Sequence, residues 1–167
     1  TELEKLTGET VEYNLEECSG EIVLSEQDMR KFMSIPASVL EKEKENLFKS
    51  VNSEKIINLK IGCQVMCTVN LDLDCEFPIC NGSLGIVTKF IGTYPNLSIP
   101  VVKFNNGAER AIHKHIWKSD NIPGVGVKQI PLVLAWAITI HKSQGSTLDL
   151  AEIAVSYTHL TLPTNTV

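Results

Sequence analysis

Nowhere in the 167 residues is there a G-x-x-x-x-G-K-[S/T] phosphate loop, and no Ser-His-Asp arrangement can be supported. Whatever the chain does with a nucleotide, the main phosphate cradle is not in it. Long apolar runs are missing too. The longest, Ile130 to Ile140, is about half of what spans a bilayer, so no membrane helix is expected. No targeting signal is visible, and the first residue is Thr1 rather than Met. An excess of positive charge is also lacking. A formal net charge of −5 argues against a whole-surface grip on nucleic acid, because nonspecific affinity comes from Lys and Arg neutralising phosphates. Five cysteines, an odd number with no secretory leader, argue against a disulfide framework and for a reducing, intracellular compartment.

What is present is unevenly spread. Lys plus Arg against Asp plus Glu is 7 to 13 over residues 1–58, 7 to 5 over 59–128 and 1 to 2 over 129–167. An acidic beginning thus leads into a mildly basic middle. Thr7-Gly8 and Ser19-Gly20 punctuate the first segment, which predicts strands Glu2–Leu6 and Thr10–Leu15, with a short strand at Ile22–Leu24. Ser25 followed by Asp28 fits an N-cap and a helix through Phe32. Val39–Lys49 mixes Glu and Lys at helical spacing around Leu40, Leu47 and Phe48, a solvated helix face.

From Leu59 the period becomes two. Leu59, Ile61, Cys63, Val65, Cys67 and Val69 fall on one face and Lys60, Gln64 and Thr68 on the other, predicting one half-buried strand. Leu84–Ile91 and Ile99–Phe104 read as further strands, and Asn105-Asn106-Gly107 as the hairpin turn into Ala108–His113. So many short strands predict a small barrel, since open edges invite wrong pairing. Pro123-Gly124 and Gly126 mark an exit loop.

Candidate chemistry in the middle of the chain is sparse. Cys63, Cys67, Cys75 and Cys80 invite a zinc reading, but Cys63 and Cys67, four apart on a strand, would stand about 13 Å apart at roughly 3.3 Å per residue, too far to share one ion. No metal site is therefore expected. Asp72, Asp74 and Glu76 form an acidic loop with nothing to fix the oxygens a divalent cation needs. His113 and His115, beside Lys114, Trp117 and Lys118, fit either a nucleic-acid grip with stacking on Trp117 or a barrel edge with snorkelling charges.

The densest signal is Gln129–Asp149, QIPLVLAWAITIHKSQGSTLD. Pro131 suits a first helical position and Gly145 a helix end, so a helix is predicted over Leu132–Gln144, followed by a strand at Leu148–Ala154. At roughly 100° per residue, Trp136, Thr139, Lys142 and Ser143 share one side, and Leu134, Ala137 and His141 the opposite one. Lys142 and Gly145 suit any helix C-terminus. Thr139, His141, Ser143 and Gln144 at the end of a buried apolar run do not, because burying them is costly unless ligands or partners satisfy them.

This stretch resembles motif V of the Pif family of DNA helicases, the 5′-to-3′ branch of superfamily one. The likeness rests on Gln129, Pro131, Leu132, Ala135-Trp136-Ala137, Thr139, His141 through Gly145, and Thr147-Leu148-Asp149. LKIGCQVMCTVN, ICNGSLGIV and VVKF look like the Src-homology-3-like 2B barrel that the family inserts before motif V, and LEKLTGETVEY is similar to the segment leading into it. A RecD- or relaxase-type helicase shares a related TxHKxQG motif, although the AWA and TLD flanks favour Pif. A non-catalytic barrel module binding single-stranded nucleic acid or protein is the reading from another class.

The resemblance implies an α/β fold, with a small barrel inserted in part of a RecA-like P-loop NTPase lobe and that domain incomplete. Residues 1–58 would be the partial lobe leading to the insertion, 59–120 the barrel, and 121–154 the returning motif V segment. It implies a motor that uses ATP and Mg2+, translocates on single-stranded DNA, unwinds duplex or forked DNA, and works with the remaining RecA-like lobe of its parent chain. Thr139, His141 and Lys142 would face the DNA backbone, and Ser143, Gln144 and Gly145 the ATP cleft. With the phosphate loop absent, this polypeptide alone is expected to be inactive. Residues 155–167 stand apart: Val155–Thr164 back-translates codon by codon into the end of a transposase-based sequencing adapter, so a non-native tail is expected there.

Overall fold

The computed structural model describes residues 2–18, 22–51, 53–71, 73–92 and 98–136. The sheet that organises them is built on β5 (Leu84–Ile91) and β6 (Ile99–Phe104), whose bounds are those predicted. In β5 the alternation is clean: Val87 is fully buried while Ile86 faces solvent. Gly85 is required where the two strands meet, since a Cβ there would stand 2.7 Å from both the Lys103 carbonyl and Val102 Cγ1. β7 (Glu109–Ala111) follows the predicted hairpin, with Gly107 at φ +91°.

The strand predicted over Leu59–Val69 is two strands, β3 (Ile56–Leu59) and β4 (Gln64–Cys67). Gly62, at φ +88°, allows a turn that the Cys63 amide closes onto the Lys60 carbonyl at 3.2 Å. Because the turn spans an even number of residues, Leu59, Cys63, Val65 and Cys67 all remain buried, but Ile61 at its tip is exposed. Met66, on the other face of β4, is buried as well, and β4 lies inside the sheet between β5 and a strand that was predicted to be helix.

That strand is β10 (Leu132–Leu134), the main correction to the sequence reading. It runs antiparallel to β4, with Leu132 opposite Cys67 and Leu134 opposite Val65. A short run apolar on every side does not distinguish a buried helix from a buried strand. Pro131 suits the start of either, and here its carbonyl accepts from the Thr68 amide. The edge of β4 supplies the hydrogen bonds that decide between them. The remainder of the predicted helix, and the strand Leu148–Ala154, lie outside the described residues.

The five-stranded order is β10-β4-β5-β6-β7, an open sheet. β1 (Val11–Asn14), within the predicted Thr10–Leu15, pairs with β3. A third sheet has β9 (Gly126–Gln129) between β2 (Glu16–Glu17) and β8 (His115–Lys118). Gly126, expected in a loop, therefore opens a strand.

Helix α1 (Glu2–Lys5) stands where a strand was predicted: among the described residues no strand pairs with residues 2–6, and Leu3 and Leu6 pack on the core. Ile22–Leu24 is likewise not a strand. Leu24 and Ile22 instead lie against Gly124 and Gly126. Helix α2 (Glu26–Ser34) is capped as expected, the Asp28 amide donating to Ser25 Oγ at 3.1 Å. Helix α3 (Ala37–Ser50) lies against β9. It is held by Ser119 and Asn121 donating to the Glu43 carboxylate and by Lys44 on Glu17 at 2.7 Å. The main core joins Tyr13 and Ile57 to Cys63, Val65, Val87, Val102, Phe104, Ile130 and Leu132.

Candidate nucleic-acid interface

Thr139, His141, Lys142, Ser143, Gln144 and Gly145 all lie outside the described residues. The structure does describe how the chain is led toward them, through β9, Ile130-Pro131 and β10. The hinge of that path is Gln129, which is fully buried. Its side-chain amide donates to the carbonyls of Tyr13 at 3.1 Å, Glu54 at 3.2 Å and Lys55 at 3.4 Å, and its Oε1 accepts from the Ile130 amide at 2.9 Å. One side chain thus ties β9 to β1 and to the approach to β3. A buried amide without partners would cost about 1–3 kcal/mol, so this satisfied one marks a fixed point. Sequence reading named Gln129 within the motif but gave it no role. Its burial depends on strands more than 70 residues away, which no local pattern reveals.

Tyr13, on the same seam, donates its hydroxyl to the Ser98 carbonyl at 3.0 Å, and burial pushes its phenol well above the usual range.

The basic cluster predicted at 113–118 is split by strand alternation. Lys114 and Lys128 converge on one face of the β2-β9-β8 sheet, where Glu16 meets Lys114 at 2.6 Å and Lys128 at 3.6 Å. Lys118 lies on the same face of β8 as Ile116, which stands opposite Lys128. His115 and Trp117 take the opposite phase and pack edge to face, ring centroids 4.8 Å apart at 75°. Trp117 thus packs against His115, on the face opposite Lys118. Burial lowers the His115 pKa below the usual imidazole value, which keeps it neutral at physiological pH. The Glu16 carboxyl is lowered, first by its hydrogen bond to Lys114, so it is ionised there.

Beyond Lys114 the same segment borders an open cleft of about 200 Å3, with Leu71, Ile79 and Ile112 among its apolar lining and Arg110, His113 and Lys114 among its basic lining. Lys114 thus joins the cleft to the lysine face. A surface of this kind can hold a phosphodiester backbone through charge and the sugars or bases through apolar contact.

The other candidates resolve differently. Cys63 and Cys67 are buried and their thiols are raised by burial, so they behave as small core hydrophobes. Asp74 and Glu76 are exposed, Asp72 lies outside the described residues, and among the described residues no three His, Cys, Asp or Glu come together as metal ligands would.

Comparison with known proteins places these features. The family model of DNA helicase Pif1, 2B domain, matches residues 44–90. ATP-dependent DNA helicase PIF1 of Xenopus laevis is 40% identical over 116 residues, which is 66% of this chain and 18% of that protein. The chain therefore spans about a fifth of the length of such curated relatives. Among solved structures, Pif1 helicase from Candida albicans aligns with a TM-score of 0.61 at 28% identity, covering 88% of this chain and 34% of the other. Pif1 helicase from Bacteroides in complex with ADP-AlF3 and ssDNA aligns at 0.54 and 26% identity, covering 89% and 29%. Over most of its length, then, the chain is similar to DNA helicases of the Pif family.

Proposed function

We propose that the chain is part of an ATP-dependent DNA helicase that moves 5′ to 3′ along single-stranded DNA and unwinds duplex or forked DNA inside the cell. The observation that carries this reading is the order of features in one chain. A Pif1 2B-domain match at residues 44–90 is followed, through β9, by the motif that begins at the buried Gln129 and runs on through β10. On this reading residues 59–120, whose strands lie in open sheets here, correspond to the family's Src-homology-3-like 2B barrel, and residues 1–58 and 121–154 to the flanking parts of a RecA-like lobe. Thr139, His141 and Lys142 contact the DNA backbone, and Ser143, Gln144 and Gly145 report on the nucleotide cleft.

Binding of ATP and Mg2+ belongs to the complete protein. The 167 residues contain no phosphate loop, and phosphoryl transfer needs that cradle, the metal and a charge-stabilising arginine together. The remaining RecA-like lobe of the parent chain would complete the site.

Two measurements on the purified chain test this reading: anisotropy of a labelled single-stranded oligonucleotide, and phosphate release. Lys142→Ala is expected to weaken binding roughly threefold to tenfold at low salt, as the loss of one phosphate contact does. No DNA-stimulated phosphate release is expected. Binding indifferent to Lys142→Ala would remove that side chain from the interface, and turnover abolished by the same change would overturn the predicted inactivity.

A further inference from the structure

The three-stranded sheet brings one carboxylate from near the start of the chain onto two lysines about a hundred residues later. Glu16 sits opposite Lys128 in the register of β2 with β9, and its two oxygens are divided between Lys114 and Lys128. The glutamate side chain is 45% exposed and the lysine side chains 28% and 21%. Two ammonium groups that would otherwise extend into solvent are thus drawn onto one acid at the surface.

We propose that Glu16 is an internal competitor for backbone phosphates: its carboxylate takes the position a phosphodiester oxygen would take between Lys114 and Lys128, and so sets the affinity and salt dependence of this face for nucleic acid. The proposal rests on the chain being a DNA-binding one. A carboxylate and a phosphate accept the same charge-assisted hydrogen bonds from an ammonium group. An exposed ion pair is weak and screened by salt, so a strand that brings several phosphates at once can displace it. The displacement still opposes binding, and it leaves an uncompensated negative charge beside the bound strand. Glu16 therefore favours ligands that deliver dense negative charge, such as a nucleic-acid backbone, over isolated anions.

The test is anisotropy of a labelled single-stranded oligonucleotide across a range of KCl, with the full chain and its Glu16→Gln, Glu16→Asp, Lys114→Met and Glu16→Gln/Lys114→Met variants. A thermal melt accompanies each. Glu16→Gln is expected to tighten binding roughly threefold to tenfold at low salt and to steepen the log–log salt slope by about one. Glu16→Asp keeps the charge and the strand pairing but withdraws the oxygens, so it moves affinity the same way by less and keeps the test alive if the Gln variant folds poorly. In the double variant most of the gain disappears. No gain from either Glu16 variant, with Lys114→Met still weakening binding, overturns the competitor while leaving the interface. Binding unaffected by Lys114→Met removes this face from the interface and the competitor with it.

Discussion

Gln129 shows how much one side chain can carry. Its amide serves three carbonyls from two other segments, and its carbonyl oxygen accepts from the next residue's amide. Gln129→Leu keeps the bulk but takes the side-chain acceptor from the buried Ile130 amide and one donor from each carbonyl, of which Lys55 keeps the Leu15 amide, so unfolding free energy should fall by about 1–3 kcal/mol in urea titration. Gln129→Glu should do no better, because its carboxylate would be buried against carbonyl oxygens. A loss under about 0.5 kcal/mol for Gln129→Leu, the range of ordinary surface changes, would show that the seam does not depend on this amide. The residue types here were legible in the sequence, but their pairing was not. His113, Lys114, His115, Trp117 and Lys118 read as one cluster along the chain, and the pleat sends them to two faces.

At the scale of elements, sequence reading succeeded where periodicity was long and bounded by turns. It gave β5, β6 and the capped helix α2. It failed where a short segment takes its state from a neighbour: residues 2–5 have no strand partner among the described residues and form a helical turn, whereas Leu132–Leu134 finds the edge of β4 and extends. The ladder makes the second case testable. With the Thr68 amide on the Pro131 carbonyl and the Ala135 amide on the Gln64 carbonyl, alternation places Val133 in the hydrogen-bonded position opposite Met66. Val133→Pro removes that donor. It should speed amide exchange along β4 and β10, leave β5 and β6 protected, and lower stability by about 1–3 kcal/mol. Were 132–134 helical, protection along β4 would be indifferent to the change.

For the whole molecule, the titrating groups define a stability plateau. Burial holds the folded-state pKa of His115 below its ordinary 6.5, so the unfolded chain takes up that proton first and stability falls as pH drops below about 6.5. The lowered carboxyls of Glu16 and Glu43 add stability above their ordinary 4.5 that is lost as pH falls through their folded values. On the alkaline side, the raised thiols of Cys63 and Cys67 resist an ionisation that the unfolded chain undergoes near 9.0, so stability declines above that pH. The raised Lys44 contributes stability below its ordinary 10.5 that is lost at higher pH. Melting temperature should therefore be highest between about pH 7 and 8.5. His115→Phe should flatten the decline between pH 6.5 and 5 while leaving the lower carboxylate limb; an unchanged profile would remove His115 as its cause.

The sequence by itself carried the likeness to the Pif family, because the motif from Gln129 to Asp149 and the strand segments before it are residue types at set spacing, which a linear reading sees whole. It also determined the elements whose period is intrinsic. Tertiary structure alone decided that Leu132–Leu134 is a strand, that Gln129 is the node of three segments, and that Glu16 meets Lys114 and Lys128. Each depends on backbone hydrogen bonds or charges supplied from far along the chain, and those energies exist only once the sheets have formed.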